Sequence, residues 1–120
     1  MNAQELFKAI NQCVDELDFI SARKYMEQNK TLLQRGKHRL NRNAQELFQF
    51  VTDRGGEQLS QKDINMLHAI NRYASNFDIR AFKLIVKDQA PLISRKDSLM
   101  YLNDDAKTLL ESMNAVSVNA

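Results

Sequence analysis

Apolar residues recur at steps of three and four along most of the chain, which is the spacing of one face of an α-helix. Leu6, Phe7, Ile10, Cys13, Val14 and Leu17 form the first such stripe and predict a helix from about Ala3 to Leu17. Asp18 has the chemistry to cap a second helix, predicted to run to about Gln34 with Ala22, Tyr25, Met26, Asn29 and Leu33 on one face and Gly36 as its stop. A third is predicted to start near Asn43, with Ala44, Leu47, Phe48 and Val51 inward, and to end before Gly55-Gly56. The plan then recurs. Ser60 and Asp63 stand at capping-box spacing ahead of Ile64, Leu67, Ile70, Ala74 and Phe77. Asp78 precedes a fifth helix with Ala81, Phe82, Ile85 and Val86 inward. Pro91 ends that helix or opens another turn. Asn103 or Asp104 starts a sixth, carrying Ala106, Leu109, Leu110 and Met113. No segment alternates with period two, so the expected class is all-α: a compact domain of about six helices.

The hexamer Asn-Ala-Gln-Glu-Leu-Phe occurs at Asn2–Phe7 and at Asn43–Phe48, but the match stops there. Asn with Glu three residues on resembles a capping box, so the hexamer reads as a helix start used twice. A shift of 60 aligns more. It sets Ala9-Ile10-Asn11 on Ala69-Ile70-Asn71, Asp18 on Asp78, Leu32-Leu33 on Leu92-Ile93 and Arg35 on Arg95. With an insertion of two residues, Leu40-Asn41 falls on Leu102-Asn103 and Leu47-Phe48 on Leu109-Leu110. The expectation is a diverged tandem duplication of three-helix units, residues 1–56 and 57–115, with the diglycine at the boundary and a frayed tail over residues 116–120. Asp18 and Asp78 join their flanking helices so tightly that each pair should form an antiparallel hairpin.

The spacing of Phe19 and Ala22, with Met26 a turn later, resembles the second helix of a tetratricopeptide repeat over about a dozen residues. The Trp-Leu-Gly-Tyr pattern of that family's first helix is absent and the period differs, so the resemblance implies no function here.

Composition agrees with helices, for there are only 3 Gly and 1 Pro in 120 residues. A chain of this length and 43% hydrophobic content can bury a core without disulfide or metal. Its lone cysteine, Cys13, reads as a small helix residue in a reducing compartment. The first residues lack a secretory signal core, and no apolar run approaches the ~18 residues of a membrane span. The expected setting is therefore the cytoplasm, with no membrane partner.

Catalytic chemistry finds little support in the sequence. The histidines, His38 and His68, stand apart, and there is no zinc helix, paired-cysteine motif or glycine-rich phosphate loop. Asp15, Glu16 and Asp18 cluster, but they lack the alternating ligands and central glycine of a calcium loop. No catalytic residue, cofactor or metal is expected.

Net charge is only +2, but it is unevenly spread. Arg23, Lys24, Lys30, Arg35, Lys37, Arg39 and Arg42 are opposed only by Glu27, with His38 among them. The second half repeats this through Arg80, Lys83, Lys87, Arg95 and Lys96. Arg35, Lys37, His38, Arg39, Arg42, Arg95 and Lys96 are accordingly the candidate partner-binding residues. The expected function is a non-catalytic protein–protein interaction or regulatory module, an adaptor or inhibitor. Phe50, Tyr73, Met100 and Tyr101 are its possible anchors. Nucleic-acid binding through the basic connectors is the alternative. A homodimer that hides an apolar face is the variant.

Overall fold

The computed structural model describes residues 1–53 and 58–117. Among these there is no strand, and the elements are α-helices and short 3₁₀ turns. The first half holds α1 (Ala3–Asp15), α2 (Phe19–Gln28), α3 (Lys30–Gly36), a 3₁₀ turn at Lys37–Arg39, and α4 (Arg42–Asp53). The second holds α5 (Gln61–Ser75), α6 (Ile79–Asp88), α7 (Ala90–Ile93), a 3₁₀ turn at Lys96–Tyr101, and α8 (Asp104–Ser112). The Gly55-Gly56 boundary lies outside the described residues.

More elements form than the six expected, because each second helix breaks. At Asn29 the side chain donates to the Tyr25 carbonyl at 2.9 Å, competing with the helical ladder, and the backbone leaves helical geometry (φ −134, ψ 34). Gln89 bends the same way (φ −111, ψ 30), and Pro91, which has no N–H to give, opens α7. α3 and α7 therefore turn away from α2 and α6.

The hairpin turns are built from adjacent stop and start signals. Leu17 adopts φ 66, and the next amide, on Asp18, donates to the Cys13 carbonyl at 2.8 Å, closing α1 with a Schellman turn. The Asp18 carboxylate then accepts the Ser21 N–H and opens α2. Phe77 at φ 56, the Asp78 N–H to the Tyr73 carbonyl at 2.9 Å, and the Asp78 cap on Ala81 repeat the device. Phe77 nonetheless leaves the α5 stripe and is 78% exposed, whereas Leu17 is 3% exposed.

The second Asn-Ala-Gln-Glu-Leu-Phe hexamer does not start a helix. Asn41 caps α4 by accepting the Ala44 N–H at 2.9 Å, so Asn43 is already inside. Only the first copy caps, through Asn2 and the Glu5 N–H at 2.8 Å. The start moves because Asn11 holds Asn41 in place. Its side chain accepts the Asn41 N–H at 2.8 Å and donates to the Arg39 carbonyl at 3.2 Å. Asn71 makes the same clasp with the Asn103 N–H (2.9 Å) and the Tyr101 carbonyl (2.8 Å), and Asn103 caps α8.

Gly36 serves close approach rather than a left-handed stop. A Cβ there would lie 2.6 Å from Phe7 Cζ, and Arg39 covers the same ring at 5.3 Å. A single hydrophobic cluster runs through both halves, with Phe19, Phe82, Ile10, Met26 and Ile70 fully buried. Burying each such side chain contributes roughly 1.5–3 kcal/mol. α4 packs on α7 and joins the halves. Of the expected frayed tail, residues 118–120 lie outside the described residues. Ala115 and Val116 are buried, and Asn114 ties back to the first hairpin, accepting the Ile20 N–H at 3.1 Å and donating to Asp18 at 2.6 Å.

Candidate functional site

The seven basic candidates follow from these elements. Arg35 ends α3, Lys37, His38 and Arg39 form the first 3₁₀ turn, and Arg42 opens α4. All five are exposed. Cations suit the C-terminal end of α3, where the helix dipole is negative. Arg39 is stacked on Phe7, and Arg42 lies 3.5 Å from Glu46. In the second half Arg95 pairs with Asp97 at 2.8 Å, and that side-chain hydrogen bond holds the Asp97 carboxyl below the usual carboxylate range.

The fold brings only part of this set together. Arg42 and Arg95 line one groove at the junction of the halves, but Glu46, Asp63 and Asp88 line it too. Its charge is mixed, with acidic groups facing the two arginines. Lys37 lies in a different groove beside Gln34, Gln45 and Phe48. On the other side of Phe50, Lys96 and Arg95 meet Arg23, Ser94 and Asp97. Arg23 belongs to the basic run of the sequence but not to the seven candidates. Its guanidinium donates to the Phe19 and Ser94 carbonyls, both at 3.3 Å, and burial pushes its pKa down from the ordinary value against the pull of Glu27. The buried Ser94 hydroxyl has no hydrogen-bond partner.

Burial, then the charges of Asp18 and Glu16, push the Cys13 thiol up, so it stays protonated at neutral pH and is a poor nucleophile. Among the described residues no three His, Cys, Asp or Glu side chains cluster as metal ligands would. Nor is any helix there long and apolar enough to cross a membrane.

Apolar side chains left in the open are the other feature. Phe77 (78% exposed), Leu84 (60%), Met100 (83%) and Leu32 (39%) present large apolar surface outward. Of the anchors expected from the sequence, Met100 and Tyr101 are exposed, while Phe50 and Tyr73 are half-buried against the core. Leu84 and Leu32 lie off the inward stripes of the sequence, so their exposure agrees with the helical pattern, whereas Phe77 lies on a stripe and is exposed all the same. Comparison with protein-family models, with curated proteins and with solved structures finds no match to this chain.

Proposed function

We propose that the chain is a non-catalytic protein-interaction or regulatory module of the cytoplasm, built from two diverged copies of one three-helix unit. The observation that carries this reading is the set of exposed apolar side chains, Leu32, Phe77, Leu84 and Met100, on an all-helical scaffold. A stack of helical units buries apolar faces between neighbours and leaves its outer faces to caps or partners. The two-unit reading draws on recurrent details. The Leu17 and Phe77 turns, the Asp18 and Asp78 caps, and the Asn11 and Asn71 clasps recur at a shift of 60, and the Asn41 and Asn103 caps at 62.

The test is affinity capture from native lysate on immobilised protein, with and without nuclease and across a salt series. A stoichiometric protein retained after nuclease and at high salt is the expected outcome. Capture that disappears with nuclease, and also disappears when Arg35, Lys37, Arg39 and Arg42 are neutralised together, overturns this reading in favour of nucleic acid. Retention of nothing, with sedimentation showing a tight dimer, overturns it in favour of self-association.

A further inference from the structure

Arg23 stands half-buried on α2 and reaches across to the C-terminal end of α7. Its Nε donates to the Phe19 carbonyl and one Nη to the Ser94 carbonyl, both at 3.3 Å. These carbonyls fix the plane of the guanidinium but bring no negative charge. The remaining N–H groups on its two Nη atoms have no acceptor among the described residues. Nor does Arg23 form an ion pair there. Glu27, one turn further along α2, is exposed and pulls on the guanidinium without pairing with it. Burial meanwhile works against the charge. A cation drawn partly out of water with no counter-ion is unfavourable, and an anion at its open edge would relieve it.

The groove beside Arg23 has the parts such an anion needs. Its volume is about 450 Å³, within the range of small-molecule sites. Lys96, exposed at the start of the second 3₁₀ turn, lines it and forms no ion pair among the described residues. Arg95 and Asp97 line it as well, but they hold each other at 2.8 Å. The positive charges left over are those of Arg23 and Lys96. Ser94 lies between the two cations, and its buried hydroxyl is a donor still lacking an acceptor. Phe50, half-buried, and Val51 give the groove an apolar wall.

We propose that this groove binds a small organic phosphate monoester, with the phosphate between Arg23 and Lys96 and the apolar body against Phe50 and Val51. The charges and donors select that class. A phosphate monoester carries a charge of about −1.5 to −2 at neutral pH and has acceptor oxygens to match the open edge of a guanidinium. A carboxylate brings less charge to the two unpaired cations. A nucleic-acid strand needs a longer row of unpaired cations, and Asp97 would face its next phosphate. Arg23 belongs to the first half and Lys96 to the second, so the bound phosphate ties the halves together. The site goes beyond the interaction role and does not draw on the two-unit reading.

The probe is phenyl phosphate, titrated into the ¹⁵N-labelled full chain, with inorganic phosphate and benzoate titrated in parallel. Saturable amide shifts at Arg23, Val51, Ser94 and Lys96 are expected, together with a rise in the thermal midpoint as the probe saturates. Phenyl phosphate should bind about tenfold more tightly than either parallel anion. Arg23→Gln should weaken its binding about tenfold through the lost charge-assisted hydrogen bonds. Lys96→Glu should weaken it about tenfold by setting a like charge beside the phosphate. Lys96 is exposed, so Lys96→Glu leaves the fold intact and decides the matter should Arg23→Gln fail to fold. No saturable shift below about 10 mM, shifts centred on Arg42 or Lys87, or unchanged binding by Lys96→Glu overturns the proposal. Inorganic phosphate binding as tightly as phenyl phosphate overturns the organic ligand in favour of free phosphate. Benzoate binding as tightly overturns it in favour of a carboxylate.

Discussion

Leu17 and Phe77 hold the same place in their hairpins and the same left-handed backbone, φ 66 and φ 56, but their side chains meet opposite surroundings. Leu17 lies where the first half meets the second. It shares a groove with Leu84 and Met113, and Asp15 reaches Lys87 beside it at 4.0 Å. Phe77 stands in solvent, 78% exposed. A left-handed backbone costs a residue with a Cβ roughly 1–2 kcal/mol. Burial offsets that cost at Leu17, and nothing within the chain does so at Phe77. Identical local geometry thus teaches that the strain is a property of the turn, whereas its compensation is a property of the neighbours.

The comparison breaks most visibly at Leu17. Leu17→Gly relieves the backbone but removes a buried side chain, and the net loss should be about 2–3 kcal/mol. Urea unfolding of the variant checks this. A loss smaller than about 0.5 kcal/mol would mean that Leu17 is not held by the second half.

How far the sequence carries the reader depends on how local the cause is. Asp18, Asp78, Ser60 and Asn103 announce themselves as caps because a cap needs only its own side chain and an amide three residues on. The break at Asn29 was not legible. Its apolar spacing continues smoothly, and only the competition between the Asn29 side chain and the ladder at Tyr25 interrupts the helix. The second hexamer misled for a related reason, since Asn11, 30 residues earlier, decides that Asn41 is the cap. The candidate site was least legible of all. The basic residues were visible, but that Arg42 and Arg95 share a groove with Asp63 and Asp88 depends on how the halves pack.

The clasps give the next test, and here the halves should behave alike. Asn11→Ala strands the Asn41 N–H and the Arg39 carbonyl, and Asn71→Ala strands the Asn103 N–H and the Tyr101 carbonyl. Both sites are partly open to water, so each variant should lose about 1–2 kcal/mol rather than the full desolvation penalty of a buried pair. Hydrogen exchange at the Asn41 and Asn103 amides should speed up only in the variant that loses the matching side chain. If one variant is neutral in urea unfolding while the other is not, the two clasps are not equivalent supports. The pairing of the halves then weakens.

The smallest effect carries the clearest sign. Phe77→Gly forfeits little burial, since the ring is 78% exposed, and it removes the Cβ that the left-handed turn disfavours. Against this, glycine has more freedom to lose on folding, roughly 0.5–1 kcal/mol. The balance should be a gain of about 0.5 kcal/mol, a small rise in the thermal midpoint, where Leu17→Gly produces a fall. Calorimetry on both variants under one condition reads the two signs directly. A loss at Phe77 comparable to that at Leu17 would mean the ring is covered in solution, and sedimentation of the wild-type protein would then show a dimer. A gain at Phe77 leaves the ring bare in the free protein, held in a strained turn with no support from the chain's own fold.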